Sequence, residues 1–484
     1  MNNTTPALPV LDPSAAAIDV GSEQLYTSIA GGPPKVFGTT TGELYALRDY
    51  FKEQGVRSVA MEATGIYWLC PYEVLEQAGF EVVVVNGKYV KNLPGRKTDM
   101  SDCQWQATLH AHGLLRPGFV PPEHIRRLQD YLRLRSDHIT LAGSHEQHMQ
   151  KALERMNLKI HDVISDLTGV SGLKMVEAIL AGERNPVALI ALCDRQIQKR
   201  KTDRLRAALE GTWKAEHLFA LRQAYELWQF YQKKIAECDH QLAAVLQELV
   251  GPAEPPVAEL PVAPAVPSAT EASPAAQAVP ADQPSPVPAA PPTAQPLPAR
   301  KVPCAIKRGG VNAPQIAGLH ALLLRLCGGK DPTTLPGIAD YVLLQLLGEV
   351  GTDLKKHWPS EKHFSAWAGL APGSRQSGKR RGSAPRHRNR AGRLFCVIAR
   401  SVGRSVDKAL GGFYRRIKGR RGGLVANLAL ARKIAELFWR LMVHGRAYVE
   451  AGLQNYEEKV AQTEQRLLQK LARKYNLVLQ PKAT

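Results

Sequence analysis

Between residues 14 and 112 the apolar positions change period in a regular order. AAAIDVG (15–21), QLYTSIA (24–30) and KVFGTT (35–40) are short strand-type runs separated by brief turns, which predicts three consecutive antiparallel strands. ELYALRDYFKEQG (43–55) then shifts to helical spacing. Leu44, Leu47 and Phe51 share one face and a glycine ends the segment. SVAMEATG (58–65) and FEVVVVNG (80–87) are two further buried strands, with a helix over 66–78 between them.

Three strands, helix, strand, helix, strand is the order of a ribonuclease-H-like α/β sheet. A flavodoxin-like or Rossmann α/β domain is the plainer alternative, and the run of three strands before the first helix counts against it. Residues 122–249 are different material, almost free of proline. One heptad runs through Leu221/Ala224, Trp228/Tyr231, Ile235/Cys238, Leu242/Val245 and Leu249, and a looser one through Ile125/Leu128, Leu132, Ile139/Ala142, Met149, Leu153, Met156 and Ile160. Two long helices packing as a coiled-coil arm follow, with Arg135 and Glu146 as polar intruders in the seam. The pattern leaves open whether they pair with each other or with a second copy. Residues 251–300 hold 15 prolines and 14 alanines, with almost no charge and no aromatic side chain. That composition buries too little apolar surface to offset its ordering entropy and predicts an extended tether. Beyond it, the chain from about 312 to 475 reads as mostly helical.

Charge narrows the partner. With 63 Lys+Arg against 44 Asp+Glu the 484-residue chain carries a formal +19. Residues 371–421 alone contain 16 Lys/Arg and a single acid, Asp407. A localised cationic surface of this kind points to a phosphate backbone, with nucleic acid the first candidate. Arg375, Lys379, Arg380, Arg381, Arg386, Arg388, Arg390 and Arg393 are interleaved with glycine and small polar residues, as expected of a loop that folds against phosphates. Upstream, LPGIADYVLLQLLGEVG (335–351) sets an apolar helix between glycine turns. It suits a helix-hairpin-helix that binds a phosphate backbone, and equally an ordinary packing unit. Seven cysteines without CxxC pairing read as reduced thiols, and no apolar run approaches the ~18 residues of a membrane span, so a cytoplasmic protein without membrane contact is expected.

Four acids fall at telling places. Asp19 closes the first strand, Glu62 lies in the fourth, and Asp99 and Asp102 are spaced i, i+3 at the start of a helix that Thr98 can cap. Four converging carboxylates are what a pair of Mg²⁺ ions requires, because hard cations take oxygen ligands. Asp19 as a turn cap and Asp99/Asp102 as favourable charges at a helix N-terminus are the plainer alternative. His145 and His148 share a helix face without a third ligand nearby, and His110 and His112 cannot share one, so no zinc site is assigned.

AIDVG, VAMEATGIYW and LPGRKTDMSDCQWQATLHAHGLLRPGFVP resemble the N-terminal domain of the DEDD transposases of the insertion sequence one-ten family, whose nuclease domain is similar to the RuvC resolvase. LPGIADYVLLQLLGEVG, FSAWAGLAPGSRQSGKRRG and ARKIAELFW resemble that family's C-terminal transposase domain. The helical coiled-coil region over 122–250 resembles the family only in kind, and nothing in the family matches the Pro/Ala tether over 251–300. The resemblance implies a RuvC-like domain over 1–121 and a helical transposase domain over 301–484. It implies that Asp19, Glu62, Asp99 and Asp102 hold Mg²⁺ and that Ser377, before Gly378, attacks DNA covalently, with Ser374 and Ser383 as neighbours that could be mistaken for it. It further implies donor and target DNA as substrates, a structured noncoding bridge RNA as guide, and a dimer or tetramer. A junction nuclease that needs only the four acids, or a non-catalytic nucleic-acid scaffold, are the other functions open to this chain.

Overall fold

The computed structural model of the protein describes residues 9–87, 99–251, 312–372, 375–377, 380–382, 388–405 and 409–446, with part of 462–475. The Pro/Ala stretch therefore lies outside the described residues, apart from Gly251. The chain divides into two compact units, residues 1–123 with 355–357, and residues 124–354 with 358–484.

The first unit is built on a mixed five-stranded sheet of order β3-β2-β1-β4-β5. The strands are β1 (Ala16–Val20), β2 (Gln24–Ile29), β3 (Lys35–Gly38), β4 (Ser58–Glu62) and β5 (Glu81–Val85). β1–β2 and β2–β3 are antiparallel, whereas β1–β4 and β4–β5 are parallel. Helices α1 (Thr41–Glu53), α2 (Leu69–Gln77) and α3 (Asp99–Ala111) complete it. The predicted element order holds throughout, with strand ends shortened by one to three residues. Alternation along β1 separates two faces. Ala16, Ile18 and Val20 join the main core with Leu44, Leu47 and Phe51 of α1, while Ala17 packs with Ala60 of β4 and Ala107 of α3. The small side chains on this second face let α3 lie close to the sheet. Gln104 Nε2 donates to the Gly32 carbonyl at 3.1 Å, and Ser58 Oγ meets His110 Nε2 at 2.7 Å near the helix's other end.

Among the described residues the second unit is helical except for one small hairpin. α4 (Glu123–Arg155) and α9 (Ala215–Val250) are its long members. Arg127 pairs with Glu248, Arg135 with Asp239, and His145 stacks on Tyr231. Positions that ascend along α4 meet positions that descend along α9, so the two helices pack antiparallel on each other within one chain. The polar intruder Arg135 is buried and answered. Its guanidinium bonds Asp239 at 2.6 and 3.4 Å, and also the Asn312 carbonyl and the Tyr341 hydroxyl, each at 3.0 Å.

Between the long helices lie α5 (Ile160–Val163), α6 (Val170–Leu180), α7 (Pro186–Ala191) and α8 (Arg195–Ala208). They share a core with the end of α4 and the start of α9, built from Leu153, Met156, Met175, Ile179, Leu205 and Leu221. Past residue 311 come α10 (Leu319–Leu326), α11 (Asp340–Val350), α12 (Leu354–His357), α13 (Glu361–Trp367), the hairpin β6 (Arg375–Ser377) and β7 (Arg380–Gly382), α14 (Arg390–Gly403), α15 (Leu410–Arg421) and α16 (Gly423–His444). Phe364, Phe395 and Phe438 join α13, α14 and α16 in an aromatic core, which the Trp439 indole extends by donating to the Trp358 carbonyl at 3.1 Å. The glycine turns foreseen around 335–351 flank α11 at Gly337 and Gly351, both with positive φ.

Candidate functional site

Parallel pairing of β1 with β4 places Ile18 opposite Met61, so the next residues, Asp19 and Glu62, stand at matching positions, Glu62 as the last residue of β4 and Asp19 one short of the end of β1 at Val20. Alternation puts both on the face of Ala17 and Ala60, the face that α3 covers. Carboxyl ends of parallel strands are where open α/β sheets bind ligands. Glu62 is 8% exposed and Asp19 half-buried.

α3 brings the remaining acids. Asp99 is its first residue and Asp102 follows three positions later. Cys103, next to Asp102, is fully buried, and burial pushes its thiol up to about 11, with the negative charges of Asp19 and Asp102 adding to the rise. One thiol that feels both carboxylates marks their approach to the same end of the sheet. Gly87, two residues past β5, closes over Glu62 from the opposite strand: a side chain there would overlap the Glu62 carboxylate. The set is oxygen-only and acidic, the donor chemistry of a hard divalent cation rather than of zinc. Among the described residues, the trio with ligand atoms within 4.8 Å of one another is Glu154, His161 and Asp162, in the second unit. There Lys159 already pairs with Glu154, and His161 Nε2 lies 2.9 Å from the same carboxylate, so the trio is an ion-pair cluster.

Ser377 ends β6 and stands opposite Arg380 in the hairpin register, with Gln376 opposite Arg381 and Arg375 opposite Gly382. The stretch read as a loop is thus in part a hairpin. Lys379 and Arg386, like Ser374 and Ser383, lie outside the described residues. Arg388 reaches Cys396 Sγ at 3.6 Å, and the Asn389 side chain caps α14 by accepting from Gly392 N at 2.8 Å.

Arg390 and Arg393 on the first turns of α14 line a groove of about 370 Å³ with Gln129 and Arg133 of α4 and Glu349 of α11. Burial raises the Glu349 pKa against the pull of Arg133, Arg390 and Arg393. Gln129 Nε2 and Arg133 bond this carboxylate at 3.2 and 3.4 Å. Three guanidinium groups around one carboxyl leave the groove cationic. Sequence reasoning found Arg390 and Arg393 by their local density. Arg133 and Glu349 carry no such signal, because only the packing of α4 on α11 brings them there.

Comparison with known families bears on both units. A model of the DEDD transposases of IS110 matches residues 17–158, a range that includes Asp19, Glu62, Asp99 and Asp102. A second, described as transposase IS116/IS110/IS902 family, matches residues 333–415, including Ser377, Arg390 and Arg393. No curated protein matches the chain. Two models of one transposase family, on separate stretches that together span just under half the sequence, agree with the sheet order and the helical second unit: the protein is a transposase of the IS110 family.

Proposed function

We propose that this transposase cuts and rejoins DNA through the carboxylates of Asp19, Glu62, Asp99 and Asp102 and the hydroxyl of Ser377. The observation that carries the reading is the matched register of Asp19 and Glu62 near the ends of two parallel strands, on the sheet face that α3, the helix of Asp99 and Asp102, covers. The DEDD domain implies a divalent metal, and Mg²⁺ is the ion its oxygen donors suit. When bound, it supplies the charge that stabilises the attacking and leaving oxygens of a phosphodiester displacement. Gly87 and β5 hold the Glu62 carboxylate in one place, and Gln104 and His110 anchor α3 so that Asp102 does not drift. Ser377 Oγ forms a bond to phosphorus as the bond to one deoxyribose oxygen breaks, and the freed hydroxyl takes the proton. A second strand's hydroxyl then reverses the exchange, joining DNA without an external energy source.

Arg375, Lys379, Arg380, Arg381, Arg386, Arg388, Arg390 and Arg393 hold the phosphate backbone. A bridge RNA would pair with donor and target so that base pairing reads sequence while the protein reads backbone shape. Two duplexes brought together call for a dimer or tetramer. In functional terms residues 1–121 form the nuclease part, 122–250 the arm, 251–300 the tether and 301–484 the serine-bearing part.

The test incubates purified protein with the element's DNA ends, with and without its flanking transcript and Mg²⁺, and scores joined strands and protein-linked DNA. Asp102→Ala and Ser377→Ala are each expected to abolish both products, and the double variant to be no worse than either. Protein-free cleavage by Ser377→Ala would make the enzyme a junction nuclease instead. Binding without cleavage under every condition would leave a scaffold.

A further inference from the structure

We propose that the exposed face of α8 is a second surface for the backbone of duplex DNA, lying in sequence outside both matched family domains. The inference rests on the transposase reading and extends it to a region that the resemblance does not describe. α8 carries six basic residues and one acid, Asp203, in 14 positions. Its apolar side is spoken for: Leu205 and Ala208 enter the core shared by α4, α6 and α9. That leaves Arg195, Lys199, Arg200, Arg204 and Arg206 exposed. Lys201 alone among the cations is turned inward, donating to the Val163 carbonyl at 2.5 Å.

Among the described residues none of the five exposed cations makes an ion pair. The neighbouring acids do not neutralise them. Asp194 is engaged as the helix cap, accepting from Gln196 N at 2.8 Å, and Asp203 and Glu210 stand exposed. Arg195/Lys199 and Arg200/Arg204 are like-charge i, i+4 pairs, which oppose helix formation. An anionic partner along the helix relieves that repulsion. At about 1.5 Å per residue the helix spans about 20 Å, over half of the ~34 Å turn of a B-form duplex. Long cationic side chains without apolar companions suit a polyphosphate rather than a bilayer. A membrane-surface helix needs apolar anchors, and those of α8 are used in its own core.

The experiment uses the full chain with Lys199→Gln, Arg200→Gln and Arg204→Gln combined. Fluorescence anisotropy is measured on a random-sequence 30-base-pair DNA duplex and an RNA duplex of equal length, from 50 to 200 mM KCl. The triple variant is expected to bind the DNA duplex roughly tenfold more weakly at 100 mM salt. Its slope of log K against log[salt] should be shallower by about 0.9 for each DNA phosphate that the variant no longer neutralises. Loss on the RNA duplex alone, with DNA binding as wild type, would overturn the DNA assignment. Arg200→Lys with Arg204→Lys keeps the charge and is expected to bind as wild type. Wild-type affinity and slope for both duplexes, with or without lost binding to phosphatidylserine vesicles, would overturn the α8 surface while leaving the transposase reading intact. Wild-type protein that binds neither duplex would overturn that reading as well.

Discussion

The α-carbon of Gly87 lies against the carboxylate of Glu62, so close that a Cβ built on it would fall 2.8 Å from Oε2 and overlap the rest of the group. The contact joins the end of β5 to the end of β4. It makes the absence of a side chain at 87 part of how the acid is held.

Gly87→Ala is expected to displace Glu62 without unfolding the sheet, since the carboxylate rather than the core must move. Strand-transfer activity should fall by at least tenfold and the Mg²⁺ concentration for half-maximal activity should rise. Far-UV circular dichroism should be unchanged. Near-normal activity with unaltered metal dependence would show that Glu62 is not a ligand.

Arg135 is 1% exposed and its bidentate partner Asp239 is 5% exposed, so neither charge tolerates the loss of the other. Asp239→Ala is expected to cost about 3–5 kcal/mol in urea unfolding of the second unit, because it leaves a buried guanidinium without its counter-charge. Arg135→Met with Asp239→Leu should recover most of that stability. Equal loss in the double and single variants would mean that packing, not charge, governs the site.

A side chain at Gly392 would overlap the backbone carbonyl of Ala368, which cannot swing aside as a side-chain tip can. Gly392→Ala should therefore push α14 away from the end of α13. An expected loss of about 1–3 kcal/mol would appear as a lower melting temperature. Nucleic-acid affinity should fall with it, as Arg390 and Arg393 flank this glycine.

Burial holds the His110 imidazole below its usual value, against the opposing pull of Asp12 and Glu81. The folded state thus prefers neutral His110, bonded to Ser58. Its contribution is complete above pH 6.5 and is lost as the pH falls below that value, where the unfolded chain binds a proton that the folded one resists. Wild-type protein should lose more melting temperature between pH 7 and pH 5 than His110→Gln does. Identical slopes for the two proteins would remove His110 from the account.

Local chemistry alone was enough for the sheet. Apolar runs of period two, glycine turns and helical spacing place β1 to β5, α1 and α2 to within about three residues, because each depends on neighbours a few positions away; the Thr98 cap expected for α3 lies outside the described residues. The heptads of α4 and α9 were legible for the same reason, since Leu128, Leu132, Leu221 and Leu242 repeat over many turns. The four short helices between them were not, for segments of 4 to 14 residues show no sustained heptad. The acids of the candidate site could be named in sequence, in order and with their spacing. That Asp19 and Glu62 share a face, and that Gly87 presses on one of them, followed only from parallel strand pairing across about 40 residues. Arg135 read as a flaw in a seam until Asp239, Asn312 and Tyr341 met it. Whether α4 pairs with α9 of its own chain was likewise decided by tertiary packing, because a heptad states which face is apolar and not what covers it.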